Sequence, residues 1–231
     1  MMMSMKRLVQ AGFIAGLLAV SGAHAADATK PFATTNGKPP PAAVDTSGPS
    51  QLIESSANIL LAGIDQHRAE WRKDPAGLYK LVSETLLPNF DTAYAAQLVL
   101  GPHWRNASAE QRKRFVDAFY DSLLYTYGDA MVDFTANRLK VFPTKADAAA
   151  DRATVRSEIT RSNGTKVAVN YSMRKVDGAW KAWDVVIDGI SYVKSYREDY
   201  GAEVQQKGLD SVIQRLESKA AAAKAGQAAA P

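Results

Sequence analysis

The spacing of the apolar residues changes twice along this chain, and that change limits the folds open to it. From Leu52 to Met131 apolar residues recur at helical spacing; from Arg152 to Ile187 they alternate; from Ile190 to Leu216 the helical spacing returns. Helices followed by an antiparallel meander and closing helices predict an α+β arrangement.

The first helical block has clear boundaries. Ile53, Ala57, Leu60 and Ile64 share one face of a helix. Asp74-Pro75 predicts an N-cap with proline at the first helical position, and Pro88 ends that helix after Leu87. Asp91 caps a short helix closed by Gly101-Pro102, and Ser108-Ala-Glu-Gln111 is a capping box. The helix it opens carries Phe115, Phe119, Leu123, Tyr127 and Met131 every fourth residue, with Val116, Tyr120 and Leu124 beside them. Continued to Phe134, it is about 26 residues and about 39 Å long.

The middle block reads as strands. A short strand covers Arg138–Phe142 before Pro143. In Arg152–Thr160, Ala153, Val155 and Ile159 alternate with polar residues. In Lys166–Arg174, Val167, Val169, Tyr171 and Met173 do the same. Asn163-Gly164 and Asp177-Gly178 are hairpin turns, and Trp180–Ile187 completes a meander with one apolar and one polar face. Ile190, Val193, Tyr196 and Tyr200, then Leu209, Val212, Ile213 and Leu216, predict the closing helical faces.

The ends have a different character. Lys6 and Arg7 precede a 13-residue apolar run, Leu8–Val20, and Ala23-His24-Ala25 has the small-x-small form of a signal-peptidase site. The run is shorter than the ~20 residues a bilayer span needs, so residues 1–25 read as a cleaved secretory signal. Residues 26–50, with Pro39-Pro40-Pro41, read as a flexible Pro/Ala-rich linker. Residues 51–216 form the folded domain, and residues 217–231 a disordered Ala-rich tail. The expected compartment is the periplasm.

Composition excludes several chemistries. Loss of Lys6 and Arg7 with the signal lowers the formal net charge from +4 to +2, which gives no reason to expect nucleic acid. With no cysteine there is no disulfide framework, thiol catalysis or thiolate metal site. His67 and His103 are the imidazoles left after removal of the signal, and neither lies in a metal-binding spacing. Nucleophile-elbow, phosphate-loop and dinucleotide signatures are absent, and no cofactor is expected. Asp184 and Asp188 share strand parity, but the turn at Asp188-Gly189 favours structural hydrogen bonding over an acid/base pair. Arg112-Lys113-Arg114, with Arg105 near, reads as the solvated face of a helix start.

Four stretches in order carry a family resemblance: Leu87-Pro-Asn-Phe-Asp91, Leu100-Gly-Pro-His-Trp104, and Ser108-Ala-Glu-Gln-Arg112 with Phe115, then Trp180-Lys-Ala-Trp-Asp184 with Asp188-Gly-Ile-Ser191. Tyr196-Arg197 and Gly208-Leu-Asp-Ser-Val-Ile213 extend the pattern. Together they resemble the MlaC, or toluene-tolerance, family of periplasmic phospholipid-binding proteins. The resemblance implies helices clasping a curved antiparallel sheet, related to nuclear-transport-factor-2-like folds, with an apolar cavity between helices and sheet. It implies a monomeric, non-enzymatic carrier of glycerophospholipid, exchanging with an outer-membrane lipoprotein complex and the lipid-binding subunit of an inner-membrane ABC transporter to maintain outer-membrane asymmetry. Its lipid contacts would then come from the two apolar faces: Phe115, Phe119, Leu123 and Tyr127 on the helix, and Val155, Ile159, Val167, Val169, Tyr171, Met173, Trp183, Val185 and Ile187 on the sheet. Two alternatives remain open at this point: a carrier of another apolar ligand such as a hopanoid, or a small enzyme using Asp184 with Tyr171.

Overall fold

The computed structural model describes residues 43–132, 139–144, 150–160 and 163–228. The expected signal peptide and most of the expected linker lie outside the described residues.

Five strands pair in sequence order as an antiparallel sheet: β1 (Leu139–Val141), β2 (Arg152–Thr160), β3 (Lys166–Val176), β4 (Ala179–Ile187) and β5 (Ile190–Ser191). Left-handed backbone makes the turns possible: Asp177 and Gly178 at φ 50° and 80°, Asp188 and Gly189 at φ 48° and 83°. Gly and Asp tolerate this region where branched residues do not. Between Ser172 and Met173 the register with β4 shifts. Ser172 opposes Asp184 and Met173 opposes Ala182, leaving Trp183 as the extra residue of a bulge.

Among the described residues there are seven α-helices: α1 (Pro49–Trp71), α2 (Ala76–Thr85), α3 (Thr92–Leu100), α4 (His103–Asn106), α5 (Ala109–Met131), α6 (Tyr192–Lys207) and α7 (Leu209–Ala228). The capping box is complete: Gln111 N–H donates to Ser108 Oγ at 3.1 Å and Ser108 N–H to Gln111 Oε1 at 2.9 Å. Asp91 caps α3 through Tyr94 N–H at 3.1 Å. Asp74 instead accepts from Ala76 N–H, so α2 starts one residue later than expected and ends at Thr85, where a 3-10 turn, Leu87–Asn89, takes over.

Four further expectations are corrected. α1 starts at Pro49, inside the expected linker, because Ser50 is buried and bonds near β1 through Thr144 N–H. The expected disordered tail is helical to Ala228: Ala220 is buried, and Glu217 and Lys224 pair with Arg114 and Asp121 on α5. Ile190 belongs to β5, opposite Ile187, and not to the following helix. The helix expected to reach Phe134 ends at Met131, and residues 133–138 lie outside the described residues.

The core has three parts. Leu52 and Ile53 of α1 pack on Val155, Met173, Trp180 and Ala182 of the sheet. Farther along α1, Leu60, Ile64 and Trp71 meet Leu78 and Val82 of α2. The third part is wholly helical, with α3, α5, α6 and α7 meeting around Val99, Phe115, Phe119, Tyr200 and Ile213. Gly128 of α5 permits a close approach to α2, since a Cβ there would run into the Tyr79 ring.

Candidate functional site

The strand register collects apolar side chains on one face, called inner here. Val155, Tyr171 and Val185 form one row; Ser157, Val169 and Ile187 the next; Ile159 and Val167 a third. Ala153, Met173 and Ala182 complete the face toward α1. These rows hold no charged residue. Their single hydroxyl of a serine, Ser157, is satisfied by donating to the Val169 carbonyl at 2.8 Å. Burial pushes the Tyr171 phenol up from its usual value, with a smaller opposing effect from its hydrogen bond to Ser157.

The helices seal this face unevenly. α1 packs down on it near Met173 and Ala182, which are fully buried. Val155, Ser157, Val167 and Val169 are buried as well, whereas Ile159, Tyr171, Val185 and Ile187 are half-buried. The main neighbours of the long helix α5 are α7, α3 and α2. At the Ile187 end stands Ile190, the one large apolar side chain strongly exposed among the described residues, at 58%. The result is an apolar, charge-free face that is buried over Val155, Val167 and Val169 and half-covered at Ile159, Tyr171, Val185 and Ile187.

A cluster of tyrosines stands beside the helical core. Tyr192, Tyr196 and Tyr200 follow one another at four-residue spacing on α6, and the Tyr196 and Tyr127 hydroxyls are hydrogen-bonded at 3.0 Å. Burial pushes Tyr192 and Tyr200 up to about 12 and Tyr196 higher still. Tyr120, whose hydroxyl is buried without a hydrogen-bond partner, is raised by burial and by Asp91. Neutral phenols of this kind present an apolar ring and a polar tip. Their periodicity was visible in the chain, but nothing local to it indicated that Tyr127 would meet Tyr196.

The structure thus brings together Val155, Ile159, Val167, Val169, Tyr171, Met173, Val185 and Ile187. It places the other expected residues differently. Phe115 and Phe119 are 0% and 3% exposed within the helical core, stacked on each other and edge-on to Tyr200. The apolar stripe of α5 is broad enough to serve three helices, and this part of it does. Leu123 and Tyr127, one and two turns on, are half-buried at the margin of that core. Trp183 leaves the row pattern through the bulge, and its ring meets Tyr94 of α3 edge-on.

The polar candidates have structural partners. Asp184 is 4% exposed and accepts from Ser191 Oγ at 2.6 Å and Val193 N–H at 3.0 Å, tying β4 to the start of α6. It lies on the opposite sheet face from Tyr171, so the two do not form an acid/base pair. Asp188 ties the β4–β5 turn to β3 by accepting from Ala168 N–H at 3.1 Å. His67 stacks on Trp71 beside Glu70, and no set of three metal-ligating side chains occurs among the described residues. Arg112 donates to the Trp104 carbonyl, while Lys113 and Arg114 pair with Asp117 and Glu217. A separate groove of about 410 Å³ between α1 and α2, lined by Ile59, Gln66, Trp71, Leu81 and Glu84, contains none of the expected site residues. No described helix is long and apolar enough to cross a membrane.

The chain is 27% identical over 179 residues to toluene tolerance protein ttg2D of Pseudomonas putida, covering 76% of this chain and 83% of that one. It is 25% identical over 181 residues to the intermembrane phospholipid transport system binding protein MlaC of Haemophilus influenzae, covering 77% and 85%. Its fold is similar to that of a phospholipid-binding protein from Ralstonia solanacearum solved with a phospholipid, with a TM-score of 0.64 at 24% identity, covering 74% of this chain and 96% of that one. The MlaC protein family model matches residues 54–218, from α1 into α7, and the chain belongs to that family.

Proposed function

We propose that this protein is a periplasmic carrier that holds the acyl chains of a glycerophospholipid against the inner face of the sheet. It shuttles that lipid between an outer-membrane lipoprotein complex and the lipid-binding subunit of an inner-membrane ABC transporter, maintaining outer-membrane lipid asymmetry without chemical conversion. One observation carries the reading: in a chain of this family, the inner face of the sheet is uncharged, and Ile159, Tyr171, Val185 and Ile187 on it are only half-buried.

The energetics explain why the surface needs both properties. A two-chain lipid has about 30 methylene and methyl groups, each worth ~0.8 kcal/mol on leaving water, so a bare lipid in solution costs on the order of 25 kcal/mol. A continuous apolar wall removes that cost, and a charge within it would restore part of it. Head-group contacts therefore belong at the rim, and discrimination between head groups is weak.

Native mass spectrometry of the mature protein purified from its own periplasm, followed by organic extraction, tests the proposal. Diacyl phospholipid at about one per protein is the expected result. A polycyclic lipid would replace the ligand class while keeping the carrier, and an empty protein would refute the carrier.

A further inference from the structure

The outer face of the sheet has a different character from the inner one. Register places Arg152, Arg174 and Lys181 side by side across β2, β3 and β4, and Arg156 follows on the same face of β2. Strands lie about 4.8 Å apart, and like charges directly opposite one another destabilise a sheet. Arg174, at the centre of the row, is tied to α3 by Asp91 at 2.9 Å and by the Tyr94 ring, whereas among the described residues Arg152, Arg156 and Lys181 have no such structural use.

The acids near this face leave Arg152, Arg156 and Lys181 unneutralised. Asp91 is held by Arg174 at 2.9 Å, and Glu158 by Lys166 at 2.9 Å. Asp184 is buried in its bonds to Ser191 and Val193, and Asp151 sits exposed at the end of β2. Among the described residues no acid pairs with Arg152, Arg156 or Lys181. Between the cations stand Thr154, Ala168, Asn170 and Ser172, which are short and uncharged.

We propose that this outer face docks the protein on the surface of a bilayer containing anionic lipid. The chemistry favours a lipid surface over an acidic protein. Protein interfaces depend on a few aromatic or apolar anchors seated in pockets, and the short side chains among Arg152, Arg156 and Lys181 provide none. Spread single cations suit a fluid array of anionic head groups, each contributing about fivefold to binding. Such docking is weak and reversible, as repeated visits to a membrane require. The inference goes beyond the carrier reading, and strand alternation keeps the two separable, because outer-face substitutions do not touch the inner rows.

The test uses the lipid-loaded protein and two vesicle types, phosphatidylglycerol mixed with phosphatidylcholine and phosphatidylcholine alone, read by co-sedimentation. The parent binds the anionic vesicles at low salt and releases them at about 1 M salt, where the screening length is about 3 Å. The triple variant R152Q/R156Q/K181Q binds about 100-fold more weakly, the product of three fivefold losses. A control, R72Q/K80Q/R105Q, removes the same charge elsewhere and binds like the parent. Equal binding by parent and triple variant overturns the proposal, as does equal loss in the control, which would reveal a net-charge effect. Failure of the parent to bind anionic vesicles overturns it too and would leave an acidic protein as the partner for this face. Lipid extracted from the triple variant reports on the carrier reading alone: an unchanged amount separates docking from loading, and a protein that is empty in both parent and variant would refute the carrier and not the docking.

Discussion

Replacing Asp184 separates a structural carboxylate from a catalytic one. In the native chain it accepts two hydrogen bonds, from Ser191 Oγ at 2.6 Å and Val193 N–H at 3.0 Å, while Ser191 Oγ accepts from Lys194 N–H. Asp184→Ala removes both acceptors and leaves donors at the start of α6 without partners, a loss of about 3 kcal/mol. Asp184→Asn can keep both bonds, with its oxygen toward Val193 N–H and its amide donating to Ser191 Oγ, but without the charge. Its cost is about 1 kcal/mol. With a urea dependence of about 2 kcal/mol per molar, the unfolding midpoint falls by about 1.5 M in the first variant and about 0.5 M in the second. Urea melts followed by circular dichroism measure both, and extraction of bound lipid is made in parallel. Lipid loading in the asparagine variant stays at the parent level. A midpoint in the alanine variant equal to the parent's would refute the structural role argued here.

Three other expectations follow from the same contacts. Val185→Asp puts a carboxylate on the half-covered inner face and abolishes lipid loading while the far-ultraviolet spectrum is kept; a lipid-loaded, folded variant would remove Val185 from the ligand surface. Truncation after Leu216 lowers the melting temperature, because it deletes buried Ala220 and the pairs Arg114–Glu217 and Asp121–Lys224. The hydrogen bond to Arg114 holds the Glu217 carboxyl below its usual 4.5, so in the full chain this contribution is present above pH 4.5 and fades as pH falls through the lowered value. A truncated chain that melts like the full one at neutral pH would contradict a packed tail. Burial raises Tyr192 and Tyr200 from 10 to about 12, so their contribution to stability is complete below pH 10 and lost between pH 10 and 12 as the unfolded chain ionises first. Absorbance of tyrosinate followed with pH shows late, cooperative ionisation that coincides with unfolding; early ionisation at pH 10 of all the tyrosines would contradict it.

Local signals in the chain are enough for much of this architecture. Ser108 and Gln111, Asp91, Asp177-Gly178 and Asp188-Gly189 act through neighbours a few residues away, and each does in the structure what its chemistry requires. Alternation in β2 and β3 likewise determined which residues share a face, since strand side chains point to opposite sides in turn whatever lies beyond. The family resemblance also rested on ordered short stretches that the chain displays by itself.

Tertiary structure decided which apolar residues are core and which remain open. Phe119 and Leu123 look equivalent on the stripe of α5, yet one is sealed among α3, α6 and α7 and the other lies at the margin. A helix shows periodicity but not the order in which its partners arrive around it. Trp183 obeys strand parity on paper and leaves the row because a single extra residue enters β4 opposite β3, a two-strand event. The Ala-rich segment after Leu216 has high intrinsic helix propensity but little apolar signal, and its docking along α5 rests on buried Ala220 and the partners Arg114 and Asp121. Local patterning thus settles faces and turns, whereas enclosure depends on contacts between residues far apart in the chain.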